Sequence, residues 1–322
     1  MVQFSGSAIF FICLVLSGCA SLKVGSDYER ALMAFQKQFY GEAETHLQSA
    51  LRQNPYHEKS LSLRGWVSFK IGMMEESEKY FELANRINPE NVSAMEGLAW
   101  IDYVKGRNES AEKRFQKMIK YAEEHFRNPY WREYPLADQG YIQSVHSNAN
   151  YGLGLIAKRM GRWDLARKYL EEAINQPNQS IDLEEMRSLL AEILFGFGEF
   201  EQALIHYQIL ILGREASFFY LNRYAWCLYR NGKIEEAKSL FLKSKALIAL
   251  EAERYRGTST VQNTTEKLMA KRIAETYYGL AILYAKERNM EEGKKELIFA
   301  LSLSPFFHSP EEIIKAFKSI SE

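Results

Sequence analysis

The chain has 322 residues, with 41 basic and 41 acidic side chains, and none of these charges lies in residues 1–19. A neutral balance of this kind offers no basic face to release counterions, so no nucleic-acid partner is expected. Apolar residues make up 47% and prolines number 7, a composition that excludes long disorder and suits one to three domains or one repeat array.

The first element is an apolar run, Ala8 to Leu16, too short for the ~20 residues that span a bilayer. Ser17, Gly18 and Ala20 flank Cys19, as at a small-residue cleavage site after a secretory leader. Met1 to Ser7 hold no Lys or Arg, so the terminal amine alone is positive there. Leu16-Ser17-Gly18-Cys19 resembles the lipobox of bacterial lipoproteins. The resemblance implies a signal peptide over 1–18, removal before Cys19, and acylation of that residue in the manner of palmitate-bearing lipoproteins. Ala20, in place of Asp, is similar to lipoproteins sorted to the outer membrane, which implies a lipid-anchored envelope protein facing the periplasm. Residues 19–26 form the acylated Cys and a short linker. At ~3.3–3.6 Å per residue, Ala20 to Ser26 reach ~25 Å at most. Cys13 lies within the leader, and Cys227 stands alone in the body, where burial as a small apolar side chain is expected.

From Ser26 onward the sequence repeats. Pro55 and Pro89, Trp66 and Trp100, Gly72 and Gly106, Phe81 and Phe115, Gly198 and Gly232, and Ala203 and Ala237 are each 34 residues apart. Small, large and small side chains recur at i, i+4 and i+7, as in Ala43, Leu47, Ala50 and in Ala166, Leu170, Ala173, which places them on one helix face. Gly72, Gly106, Gly161, Gly198 and Gly232 fall where a first helix must end, and glycine takes the left-handed C′ conformation without strain. Pro55, Pro89 and Pro305 follow second helices, whose continuation they block.

This period and residue pattern resemble the tetratricopeptide repeat. The resemblance implies an all-α fold, a right-handed superhelix of about seven helix-turn-helix repeats. Repeats one to three are expected over 27–123, four to six over 147–249 and the seventh over 274–307. Insertions at 124–146 and 250–273 interrupt them, each expected to lengthen two helices into a hairpin. The similar tags Tyr151-Gly152-Leu153 and Tyr278-Gly279-Leu280, 127 residues apart, point to a duplicated unit. Ser309-Pro310-Glu311-Glu312 marks a helix start, and 308–322 is expected to cap the array.

No catalytic constellation stands out. The six histidines form no H-E-x-x-H and no cluster with cysteine, and no Walker loop, G-x-S-x-G or C-x-x-C occurs. Gly152-Leu-Gly154 superficially matches part of a dinucleotide fingerprint but sits at the small-residue position of repeat four. Ser110-x-x-Lys113 lies on a repeat helix without companion motifs. No enzyme activity, cofactor or metal is expected.

In the resembled family the first helices line a concave groove. At the groove positions this chain offers Tyr28, Phe35, Trp66, Phe69, Trp100 and Tyr103. Tyr28 and Leu32 stand where the family's charged carboxylate clamp needs Lys and Asn. The alternative for these rings is packing between neighbouring first helices. The expected function is a membrane-anchored scaffold or adaptor that binds protein partners in the bacterial envelope. That function resembles outer-membrane repeat lipoproteins acting as secretin pilotins, barrel-assembly components or hydrolase adaptors. The second reading is a ligand- or glycan-binding envelope module, as in polysaccharide export. Nothing in the sequence sets an oligomeric state.

Overall fold

A computed structural model describes residues 24–175, 183–213, 217–254 and 263–304. The expected leader over 1–18, Cys19, and the expected cap over 308–322 lie outside the described residues. The chain falls into two compact units, Met1–Ile181 and Asp182–Glu322. Every long regular element among the described residues is an α-helix. In the first unit these are α1 (24–36), α2 (Tyr40–Gln53), α3 (Glu58–Lys70), α4 (Met74–Ile87), α5 (Val92–Val104), α6 (Asn108–Phe126), α7 (Leu136–Arg159) and α8 (Trp163–Ile174). The second unit holds α9 (Leu183–Gly196), α10 (Phe200–Ile211), α11 (Phe218–Arg230), α12 (Ile234–Arg254), α13 (Asn263–Lys286) and α14 (Met290–Leu303). Consecutive helices pack as antiparallel pairs, and within each unit the first helix of one pair also meets that of the next, as α3 meets α5 and α11 meets α13.

Two local devices build each pair. The second helix buries its small, large, small face: Ala43, Leu47 and Ala50 are fully buried, as are Ala111 and Phe115, and Ala237 and Phe241. The first helix ends in a left-handed residue, with φ +85° at Gly72, +75° at Gly106 and +78° at Gly232. That residue lets the following amide turn back to the helix, as in Met73 N–H to Ser68 O at 2.8 Å and Lys233 N–H to Leu228 O at 2.9 Å. In the first and last pairs Gln38 and Arg288, both at φ +62°, take the same place, and the same bond closes from Phe39 to Ala34 and from Asn289 to Tyr284.

Within each unit, the rings of Phe81, Phe115 and Phe241 on second helices land on the next first helix, where their seats are glycines. A methyl group on Gly97 would lie 2.2 Å from the Phe81 ring, and one on Gly65 2.7 Å from it. Phe115 seats on Gly152 and Phe241 on Gly279 in the same way, with nearest approaches of 2.4 and 2.5 Å. Gly152 is thus a packing glycine inside α7. Gly97, Gly152 and Gly279 all stand two residues before a small residue of the helix pair, Ala99, Gly154 and Ala281.

The added residues extend helices. α6 and α7 run to 19 and 24 residues and are joined through a 3-10 turn at Trp131–Glu133. α12 and α13 run to 21 and 24 residues. The base of the first extension belongs to the core, because Val145 packs with Met118 and Phe115. Its outer part is held by rings instead: Phe126 meets Trp131 at 5.1 Å and Trp131 meets Tyr134 at 5.4 Å.

Gly97→Ala forces the Phe81 ring aside and is expected to cost about 1–3 kcal/mol. Gly41→Ala, in α2 with no atom within 4 Å, is expected to stabilise by about 0.5 kcal/mol. Urea melts of the two variants test the contrast. Cys227 is fully buried, and burial pushes its thiol up to about 12. It is expected to stay unmodified by thiol reagents at mildly alkaline pH until denaturant opens the second unit.

Candidate partner-binding groove

Tyr28, Phe35, Trp66, Phe69, Trp100 and Tyr103 all lie on first helices of the first unit, α1, α3 and α5, and all are half-buried. Each packs on the core of its own repeat. Trp66 stands edge-on to Phe81 with ring centres 5.2 Å apart and interplanar angle 75°, and Trp100 meets Phe115 in the same geometry. Each Trp also meets the ring three residues on, Phe69 at 5.7 Å and Tyr103 at 5.9 Å. Tyr28 packs edge-on to His57 at 5.7 Å, and Phe35 against Tyr40 at 5.8 Å. All six stay partly exposed, so these side chains serve packing and keep some apolar surface uncovered.

Two links to the next first helix fix the orientation of the tryptophans. Trp66 Nε1–H donates to Ser93 Oγ at 2.9 Å, and Trp100 leans on Tyr151 at 5.9 Å. Arg159 lies 3.7 Å over the Tyr103 ring and donates to Tyr103 O at 2.7 Å. Ser93, Tyr151 and Arg159 did not stand out in the sequence as part of this surface. Tyr151 carried a signal, the residue before the seating Gly152. Arg159, at the C-terminal end of α7, carried none.

The second unit departs from the aromatic pattern at one place. Where Trp66 meets Phe81, Glu192 meets Tyr207, whose hydroxyl donates to Glu192 Oε1. Where Phe81 and Phe115 seat on glycine, Tyr207 faces Arg223, which stands two residues before Ala225. Arg223 Nε–H donates to Glu192 Oε1 at 3.1 Å, and its Nη1 lies 3.1 Å from Glu275 Oε2. The second contact is close in distance but off hydrogen-bond geometry. Burial would lower the Arg223 pKa, but Glu192, Glu275 and Tyr207 outweigh it and raise the net value. Trp226 repeats the first unit's geometry, 5.3 Å from Phe241 and 6.0 Å from Tyr278, but is nearly closed off at 7% exposure.

Two residues beyond Trp100, Asp102 on α5 is buried and holds the turn to α6. It accepts from Arg107 Nε at 2.6 Å, Ser110 Oγ at 2.5 Å and Arg114 Nε at 2.9 Å. Burial alone would raise its pKa, but these hydrogen bonds and the two guanidinium groups outweigh burial and lower it. Ser110 is therefore bound into a structural network. Among the described residues no group of three His, Cys, Asp or Glu is placed to hold a metal ion, and no helix is long and apolar enough to cross a membrane.

A carboxyl group whose folded pKa is depressed adds stability above its unfolded value, about 3.9, and loses it as pH falls through the folded value. Asp102→Asn is therefore expected to cost about 1–3 kcal/mol at neutral pH. Its deficit against the parent chain should shrink as pH drops below about 4. Denaturant melts across that range check it, and a deficit independent of pH would show that the charge of Asp102 is idle.

Residues 58–91 and 151–218 each match a tetratricopeptide-repeat family. No curated protein matches the chain significantly. Among solved structures, PilF of Pseudomonas aeruginosa is 17% identical, covers 74% of this chain and 98% of its own, and has a TM-score of 0.57. PilW, described as a widely conserved type IV pilus biogenesis factor, is 17% identical over 69% of this chain and 92% of its own, with a TM-score of 0.52. The C-terminal part of a repeat protein from Cytophaga hutchinsonii is 13% identical over 90% of this chain and 98% of its own, with a TM-score of 0.55. At these identities the likeness speaks for the fold, that of a tetratricopeptide-repeat solenoid, to which the two matched stretches also point.

Proposed function

We propose that the chain is a lipid-anchored scaffold of the bacterial envelope, held through Cys19, that captures a protein partner on the aromatic face of its first unit. The observation that carries the reading is the set of half-open rings on α1, α3 and α5, with Trp66 and Trp100 held in matching orientations. Rings already fixed by packing lose little freedom on binding, and Trp and Tyr are the residue types richest in interface hot spots. An apolar helix or extended segment of a partner is the complementary ligand. The anchor rests on Leu16-Ser17-Gly18-Cys19 and the uncharged leader before it, and outer-membrane placement rests on Ala20. PilW shares the fold; the part assigned to this chain rests on its own residues.

Cys19→Ser removes the thiol that accepts lipid, and the variant is expected to lose palmitate labelling and leave the membrane fraction. Retained labelling would end the lipoprotein reading. For the groove, a photo-crosslinking residue at Phe69 should give a discrete adduct in intact cells, while one at Lys79, on the second helix of the same pair, should not. Phe69→Gln with Tyr103→Gln leaves the Trp66–Phe81 and Trp100–Phe115 contacts in place. It should cut adduct formation from a probe at Phe35 by about ten-fold or more, under conditions where the melt shows the first unit still folded. Equal adducts from positions 69 and 79 would remove the groove from the account.

A further inference from the structure

The second unit holds a cavity of about 550 Å³ that plays no part in the groove. Its walls include Ser188 of α9, Ser217, Phe219 and Tyr220 at the start of α11, and Arg272 of the extended α13, with Glu184 also lining it. The Arg272 guanidinium lies 3.9 Å over the Phe219 ring centre. Among the described residues it makes no ion pair and no hydrogen bond, so its fork of N–H donors is uncommitted. Arg223 also reaches Phe219, at 5.5 Å, but its charge is met by Glu192 and Glu275. Two guanidinium groups therefore share one ring, and the described residues neutralise only one of them.

The hydroxyls around Arg272 point to the same kind of ligand. Ser217 Oγ accepts the Phe219 amide at 3.3 Å, which leaves its own proton free to donate. Ser188 and Tyr220 add two more hydroxyl groups to the wall. A stacked arginine is held in plane before any ligand arrives, and its fork matches the two oxygens of a carboxylate. The exposed Glu184 carboxylate acts against a doubly charged group such as phosphate, through like-charge repulsion. We propose that this cavity binds a single carboxylate group, paired bidentately with Arg272 and hydrogen-bonded by Ser217. The residue responsible lies in the helix extension, ahead of the seventh repeat, and the inference does not depend on the groove reading.

The carboxylate could be a peptide's chain end or a small free acid, and three probes separate them. The full-length chain in detergent is titrated with N-acetyl-tetra-alanine as the free acid, with the same peptide amidated, with acetate, and with inorganic phosphate as a control, while the arginine Nε–H resonances are followed. The free-acid peptide is expected to shift Arg272 saturably, the amidated peptide is not, and Arg272→Gln, followed by titration calorimetry, should weaken binding by at least about ten-fold. Arg272→Lys, which keeps the charge but loses the fork, should fall between the two, and melts of both variants report whether the unit stays folded. Acetate acting as strongly as the peptide would assign the site to free acids; acetate acting much more weakly would assign it to chain ends. Equal binding of free and amidated peptide, a stronger response to inorganic phosphate than to any carboxylate, or an unmoved Arg272 in every titration would overturn the proposal.

Discussion

The stacking of one helix pair on the next depends on a ring pressed into a place where no side chain can stand. Phe81 fills the room that Cβ atoms would need at both Gly65 and Gly97, and Phe115 and Phe241 do the same at Gly152 and Gly279. Each ring joins a second helix to the following first helix, so it fixes the distance between pairs. The tryptophans at positions 66, 100 and 226 then close edge-on over the seated rings at 5.2–5.3 Å. The candidate binding surface is thus the outer side of the same joint that sets the repeat spacing. Its rings are rigid because they are structural.

One junction solves the same geometric problem with charge. Tyr207 brings a hydroxyl to the seat, Glu192 replaces the covering tryptophan, and Arg223 replaces the glycine. These three substitutions make sense only together. A tyrosine hydroxyl facing an indole would be buried without an acceptor, and Glu192 without Arg223 would be a poorly compensated charge. Glu275, from the next first helix, joins the arrangement and extends it over three successive repeats.

Much of this architecture was legible in the residues. The 34-residue spacing, the small-large-small faces and the glycine helix ends could be read because each is a local requirement repeated several times. Gln38 and Arg288 escaped, since neither residue type announces a left-handed turn and only the neighbouring hydrogen bonds impose it. The first-helix rings could be placed by register. Trp66 and Trp100 pack on the seated phenylalanines and keep part of their surface exposed. The charge-based junction was hidden for another reason: Tyr207, Glu192 and Arg223 are far apart in the chain and follow no motif. Arg272 was hidden because the inserted stretches depart from the repeat on which the register rests.

The seating of rings on glycine also bears on how such a chain can be rearranged. A second helix carrying Phe81 or Phe115 needs a glycine in the first helix that follows it, and one carrying Tyr207 needs Arg223. The indivisible piece is therefore a second helix together with the first helix of the next repeat, straddling the usual repeat boundary. The two halves of the chain agree with this. Trp100, Phe115 and Tyr151-Gly152 recur as Trp226, Phe241 and Tyr278-Gly279, and the same contacts are made in each unit. A duplication that copied such blocks whole would keep each ring with its own seat. Exchange of single repeats at their conventional boundaries would separate those partners, so grafting repeats into or out of this protein should succeed when the cut falls between the helices of a pair.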